Sequence, residues 1–263
     1  MSYDYNNGEV VYIKERDPRE LNVVERIKNE AKAKSALPNI NDDHVCNTVL
    51  ETKLASVEKE LADLKNANLV RELLSALSEG GDIILPASMN METAAVIDKD
   101  VALDLNGKRL TIAEDTVGDG VFHVTGGTMT ISGDGYINGA GKNEYNMAIW
   151  ADGGNVIING GTFTNEGATA TDDPSHMDLI YIKNGSNLEI NGGFFRCATP
   201  KWTLNKHDKT ESTITVKGGT FVDYNPAASE TEPGGTVSFV AEGYTVISET
   251  QDNGETWYTV VAE

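Results

Sequence analysis

The chain has 263 residues, with 21 Lys and Arg against 41 Asp and Glu and a net charge of −20. Such an excess of acid excludes a nucleic-acid surface, which needs cations to neutralise phosphates. No apolar run approaches the ~18 residues that a membrane-spanning helix requires, and Cys46 and Cys197 are too few for a disulfide framework and read as unpaired thiols.

The acid is unevenly spread. Residues 1–42 carry 7 basic and 8 acidic side chains, residues 43–78 carry 4 and 6, and residues 79–263 carry 10 and 27. Only the last segment therefore has a field strong enough to repel polyanions. The opening Met1-Ser2-Tyr3-Asp4-Tyr5 has no cationic region leading into an apolar stretch, so export on a secretion signal is not expected. Residues 9–14 alternate like a short strand, and Leu21, Val24, Ile27 and Ala31 recur at helical spacing between Pro18 and Ala36. Asn39-Ile40-Asn41-Asp42-Asp43 reads as a linker.

Beyond it, Leu50, Leu54, Val57, Leu61 and Leu64 are separated by 4, 3, 4 and 3 residues, the seam of a coiled coil. With Leu54 and Leu61 at a positions and Leu50, Val57 and Leu64 at d, Asn47 and Asn68 take further a positions. Lys53 at g then faces Glu58 at the e position of a neighbour, and Glu60 faces Lys65. Both pairs attract in a parallel, in-register homo-oligomer, while Leu at both core positions leaves the number of strands open. The same spacing also suits an ordinary amphipathic helix docked on the domain that follows. Asn68 can cap a second helix, Leu69–Leu77, ended by Gly80-Gly81. Its Leu73, Leu74 and Leu77 are placed to cover the open end of a solenoid, whose interior and backbone would otherwise face water.

Asp82-Ile83-Ile84-Leu85-Pro86 reads as the first strand, and after it the chain repeats a phrase. Asn159-Gly160-Gly161-Thr162-Phe163 returns as Asn191-Gly192-Gly193-Phe194-Phe195 and as Lys217-Gly218-Gly219-Thr220-Phe221, each time after a β-type run ending in Ile158, Ile190 or Val216. Weaker copies lie at Leu105–Leu110 and at Ile131 with Gly133, Gly135 and Ile137. The anchors Leu105, Ile131, Ile158, Ile190 and Val216 step by 26, 27, 32 and 26 residues, about one turn of a solenoid. Each unit holds short alternating runs, such as Val101–Leu105 and Asn155–Ile158, broken by Gly pairs that take tight corners. The predicted architecture is a parallel β-helix with Phe163, Phe195 and Phe221 stacked inside. An antiparallel sandwich with Gly-rich hairpins is the alternative, although hairpins impose no fixed period. Val237–Val240, Tyr244–Ile247 and Trp257–Val261, around an Asp252-Asn253-Gly254 turn, predict short strands over the far end. The boundaries that result are an N-terminal segment at 1–42, a stalk at 43–68, a capping helix at 69–81, a β-helix at 82–225 and a C-terminal β cap at 226–263.

Leu69–Leu85, Ile97–Lys108, the Gly-Gly-Thr-Phe rungs and the ending Val240–Thr245 with Trp257–Val260 resemble right-handed parallel β-helix modules of the pectate-lyase-like superfamily, as found in bacterial surface proteins and bacteriophage fibres or spikes. The resemblance covers residues 69–263. It implies an all-β fold, a right-handed parallel β-helix solenoid, here preceded by a short α-helical parallel coiled coil. For function it implies little, because the same rungs serve enzymes and inert shafts. A short adaptor and a parallel coiled coil ahead of the rungs resemble trimeric phage fibres, including head fibres that decorate capsids.

Lyases of this superfamily hold calcium with carboxylates and use an Arg or Lys base, and its hydrolase branch uses clustered Asp residues. The acidic candidates here are Asp172, Asp173 and Asp178, with His176 nearby, in the insertion that lengthens one turn to 32 residues. Asp-Asp-Pro-Ser-His suits a solvated turn better than a catalytic cluster, with calcium at the insertion as the one metal alternative. His207-Asp208-Lys209 reads as an exposed corner, His123 as an outward strand residue, and no spacing of Cys, His and carboxylate makes a zinc site. No catalysis and no cofactor are expected. Trp150, Tyr181 and Trp202 stand at roughly matching places after three corners. Trp150 and Tyr181 point outward if Ile149 and Ile180 point inward, and exposed aromatics mark a subunit interface or a host-surface glycan site. The expected function is a non-enzymatic structural fibre on a phage virion, a homotrimer attached to a capsid protein through residues 1–42. A head fibre is favoured over a tail-fibre or adhesin-type receptor- or glycan-binding protein, and a polysaccharide lyase or hydrolase comes last.

Overall fold

A computed structural model of the chain describes residues 3–6, 9–12, 43–112, 120–139, 147–165, 178–207, 209 and 211–263. The chain divides into two compact units, Met1–Asn68 and Leu69–Glu263. In the first, β1 (Tyr3–Asn6) and β2 (Glu9–Tyr12) pair antiparallel, so the strand expected at residues 9–14 is present over Glu9–Tyr12, its last two residues lying outside the described ones. The helix expected at Pro18–Ala36 lies outside the described residues.

Helix α1 runs from Asp43 to Glu79, 37 residues without a break. The expected division at Asn68 is absent: Asn costs an interior helical position only about 0.7 kcal/mol, and its neighbours Ala67 and Leu69 are strong helix formers. Leu73 and Leu77 are buried in the core of the second unit, and Leu69, Val70 and Leu74 pack against it. Gly80 and Gly81, at φ 83° and 94°, end the helix in a conformation that side-chain-bearing residues resist.

Strands then recur on three sheets. One carries β3 (Gly81–Ile84), β6 (Val101–Asp104), β9 (Thr128–Ser132), β12 (Asn155–Ile158), β15 (Asn187–Ile190) and β18 (Thr213–Val216), all parallel. A second carries β4 (Met89–Met91), β7 (Lys108–Ile112), β10 (Gly135–Asn138), β13 (Thr162–Thr164), β16 (Phe194–Arg196) and β19 (Thr220–Val222). The third carries β5 (Ala95–Ile97), β8 (Phe122–Val124), β11 (Ile149–Asp152), β14 (Ile180–Lys183) and β17 (Leu204–Lys206). Each strand pairs with its counterpart one coil away, which makes the unit a parallel β-solenoid.

Alternation decides what fills it. Leu103, Ile131, Ile158, Ile190 and Val216 stand in register and are wholly buried. The member of this row one coil before Ile131 is therefore Leu103, with the half-buried Ile83 before it, and not Leu105. Leu105 is also buried but lies at the corner, where the absent side chains of Gly135 and Gly161 leave it room. On the second sheet Phe163, Phe195 and Phe221 form one interior column, with centroids 5.1 and 4.7 Å apart and planes 9° and 11° from parallel.

The two glycines of each repeated pair answer different demands. Gly161, Gly193 and Gly219 sit at φ 95°, 110° and 98°, the left-handed region that Gly enters freely. Gly192 and Gly218 are instead crowded: a Cβ on Gly192 would lie 2.9 Å from the Asn159 carbonyl oxygen, and one on Gly218 would collide with that of Asn191.

Parallel stacking stops at β19, which takes β23 (Thr256–Ala262) antiparallel, with β22 (Tyr244–Thr250) beyond it. A clasp fastens this ending. The Arg196 guanidinium donates to both carboxylate oxygens of Glu255, Trp257 Nε1 donates to Glu255 at 3.2 Å, and the Phe194 and Trp257 rings meet edge-on at 5.1 Å. That contact accounts for Phe194, where the sister rungs have Thr162 and Thr220.

Candidate functional site

Ile149 and Ile180 are buried, so alternation turns Trp150 and Tyr181 outward, each half-buried. Strand register sets them in one row with His123 on β8 and Asn205 on β17. His123 stacks on Trp150 with centroids 4.2 Å apart and planes 4° from parallel. From the β14 side Lys183 Nζ stands 4.4 Å from the Trp150 ring centroid, a cation over a π face. Asp152 holds Lys183 at 3.2 Å and accepts from Asn184 Nδ2 at 2.5 Å. Both faces of the Trp150 ring are thus in use, and a sugar would have to displace His123 or Lys183 before stacking on it.

Trp202 does not join the row; the place beside Tyr181 belongs to Asn205. It lies on the 3-10 turn Pro200–Trp202 and is only 6% exposed. That turn resets the alternation between one strand and the next, so counting forward from the Gly corner misplaces the indole. Its Nε1 has no acceptor among the described residues.

Of the acidic insertion, Asp172, Asp173 and His176 lie outside the described residues. Asp178 is buried just before β14, and its Oδ1 accepts from Asn205 Nδ2 at 3.1 Å. The same Nδ2 reaches Glu232 Oε1 at 3.5 Å, and Tyr181 Oη donates to that oxygen at 3.3 Å. Burial pushes the Asp178 carboxyl up to about 8; the Asn205 hydrogen bond opposes the shift and the Glu232 charge adds to it. At pH 7 the Asp178 carboxyl therefore favours its neutral form. Sequence reasoning identified Asp178 but missed Asn205 and Glu232, which only the stacking of coils and the fold-back of the C-terminal segment bring to it.

The other candidates are separate. His207 is half-exposed at a corner, where Lys209 N–H donates to its Nδ1 at 3.3 Å; Asp208 lies outside the described residues. Cys197 is a buried thiol outside any disulfide that accepts from Asn165 Nδ2 at 3.5 Å, and burial pushes it up to about 12. Leu50, Val57, Leu61 and Leu64 are half-exposed on α1 and Leu54 is 58% exposed. Among the described residues no three His, Cys, Asp or Glu side chains are grouped to hold a metal, and no helix is long and apolar enough to cross a membrane. No protein-family model, curated protein or solved structure matches the chain.

Proposed function

We propose that the protein is a non-enzymatic structural fibre of a phage virion, a capsid-decorating head fibre in which residues 1–42 attach to the capsid protein and the β-solenoid faces outward. The observation that carries this reading is the seam of α1. Leu50, Leu54, Val57, Leu61 and Leu64 lie along one unbroken helix, and none is buried within the chain. An apolar stripe of that spacing calls for an identical stripe, and the Lys53–Glu58 and Glu60–Lys65 pairings favour parallel, in-register copies. In this reading the helix zips three chains and the coil is right-handed, the hand that connections between parallel strands overwhelmingly take.

Within the trimer the outward row is assigned to contact between chains. What supports this over glycan binding is that His123 and Lys183 already occupy the Trp150 ring faces. The enclosed position of Asp178 supports a body without catalysis. A reconstruction of the particle that contains this protein tests the reading: density on the capsid lattice is expected, density at the tail tip would point to receptor binding, and absence from virions would overturn it.

A further inference from the structure

The β20 (Ser229–Glu230) and β21 (Thr236–Val237) hairpin packs Val237 against the core and is otherwise held by polar contacts. Ser229 is buried with its Oγ 2.6 Å from Tyr224 Oη, Lys201 Nζ stands 3.8 Å from Glu230, and Glu232 in the connecting loop meets Tyr181 and Asn205. Behind that last contact lies Asp178, on the same Asn205 amide nitrogen. Two carboxyl groups therefore converge on one amide nitrogen, one of them buried in the solenoid and one carried by the hairpin. The amide can donate one N–H to each, but burial and the Glu232 charge both favour a neutral Asp178.

We propose that Asp178, Asn205, Tyr181 and Glu232 form a proton-controlled latch, which fastens the β20–β21 hairpin to β14 and β17 and releases it as pH rises. The groups that meet Asp178 set the direction. Glu232 faces it from the hairpin and Asn205 from β17; the buried Cys197 thiol beside it stays protonated. Among the described residues no Lys, Arg or His forms an ion pair with Asp178 to offset its charge, and Lys201 is engaged with Glu230.

With the latch shut, Asp178 holds its proton up to about 8; opening removes the Glu232 charge and lets water reach the carboxyl, which lowers that value towards the ordinary 3.8. The shut state thus binds one proton more across that window. Closure is tightest below the ordinary value, weakens as pH rises, and levels off above about 8. One proton of difference changes the opening equilibrium by up to about tenfold per pH unit.

Hydrogen exchange of the full chain, read by mass spectrometry from pH 5 to 9 and corrected for the intrinsic pH dependence of amide exchange, tests this. Protection of residues 229–237 should fall by up to about tenfold per pH unit and flatten above pH 8, while the Phe column stays protected. Asp178→Asn keeps a neutral partner for Asn205 and should hold the hairpin shut with no slope. Glu232→Gln keeps an acceptor without the charge and should move the flattening to lower pH. Wild-type protection independent of pH, or an Asp178→Asn slope equal to wild type, overturns the latch. Should Asp178→Asn not fold, Glu232→Gln decides: flattening at the wild-type pH overturns it, and flattening at lower pH supports it.

Discussion

Phe195 lies between Phe163 and Phe221 with no exposed surface. Truncation there removes both stacking partners' contact and leaves a cavity that neighbouring coils cannot close, so Phe195→Ala should cost about 3–5 kcal/mol in equilibrium denaturation. Arg196 and Glu255 make a different kind of contact, at the surface and dependent on charge. The Arg196 guanidinium holds the Glu255 carboxyl at about 2, below its ordinary 4.5. A depressed carboxyl stabilises the folded state above its ordinary value, and that contribution is lost as pH falls through 4.5 towards 2. Exchange protection of the β22–β23 hairpin should accordingly fall on acidification in wild type and much less in Arg196→Met. The Phe column was readable in the sequence because each ring is phase-locked to a Gly pair two residues earlier. The clasp was not, since Arg196 and Glu255 belong to segments joined only by the antiparallel turn-back, and no local pattern pairs them.

Elements show the same division between local and non-local information. The 4-3 apolar spacing along α1 is read from the sequence alone, and the trimer proposed from it is measurable. If α1 zips three chains, light scattering should give a trimer that replacing Leu54 and Leu61 by Asp converts to single chains, and survival of the oligomer would move the association to the solenoid faces. The continuity of α1 through Asn68 was not readable, because a residue that caps well is tolerated mid-helix at modest cost when tertiary packing continues on the far side. In the coils, Gly218 has no unusual φ and owes its identity to the Asn191 carbonyl of the previous coil. Gly218→Ala should cost about 1–3 kcal/mol through overpacking. Gly160→Ala, with 3.2 Å to the nearest carbonyl oxygen, should cost less.

For the whole molecule, the period of the Gly phrases was enough to identify a parallel solenoid, while the corner turns that bury Trp202 and the residues that surround Asp178 depend on how successive coils differ. If the outward row is a contact between chains, Trp150→Ala should weaken assembly without creating or abolishing glycan binding; glycan binding by wild type that Trp150→Ala removes would assign the row to recognition. The antiparallel turn-back at β23 has a bearing on how such a chain can change in length. A rung copied after β19 would have to insert between β19 and the strand that closes it, breaking the Arg196–Glu255 and Phe194–Trp257 attachments, whereas a rung copied between β9 and β15 meets the same neighbours above and below. Growth and shrinkage of this body by whole repeats is therefore confined to its middle, and its last coil is a terminus that duplication cannot extend.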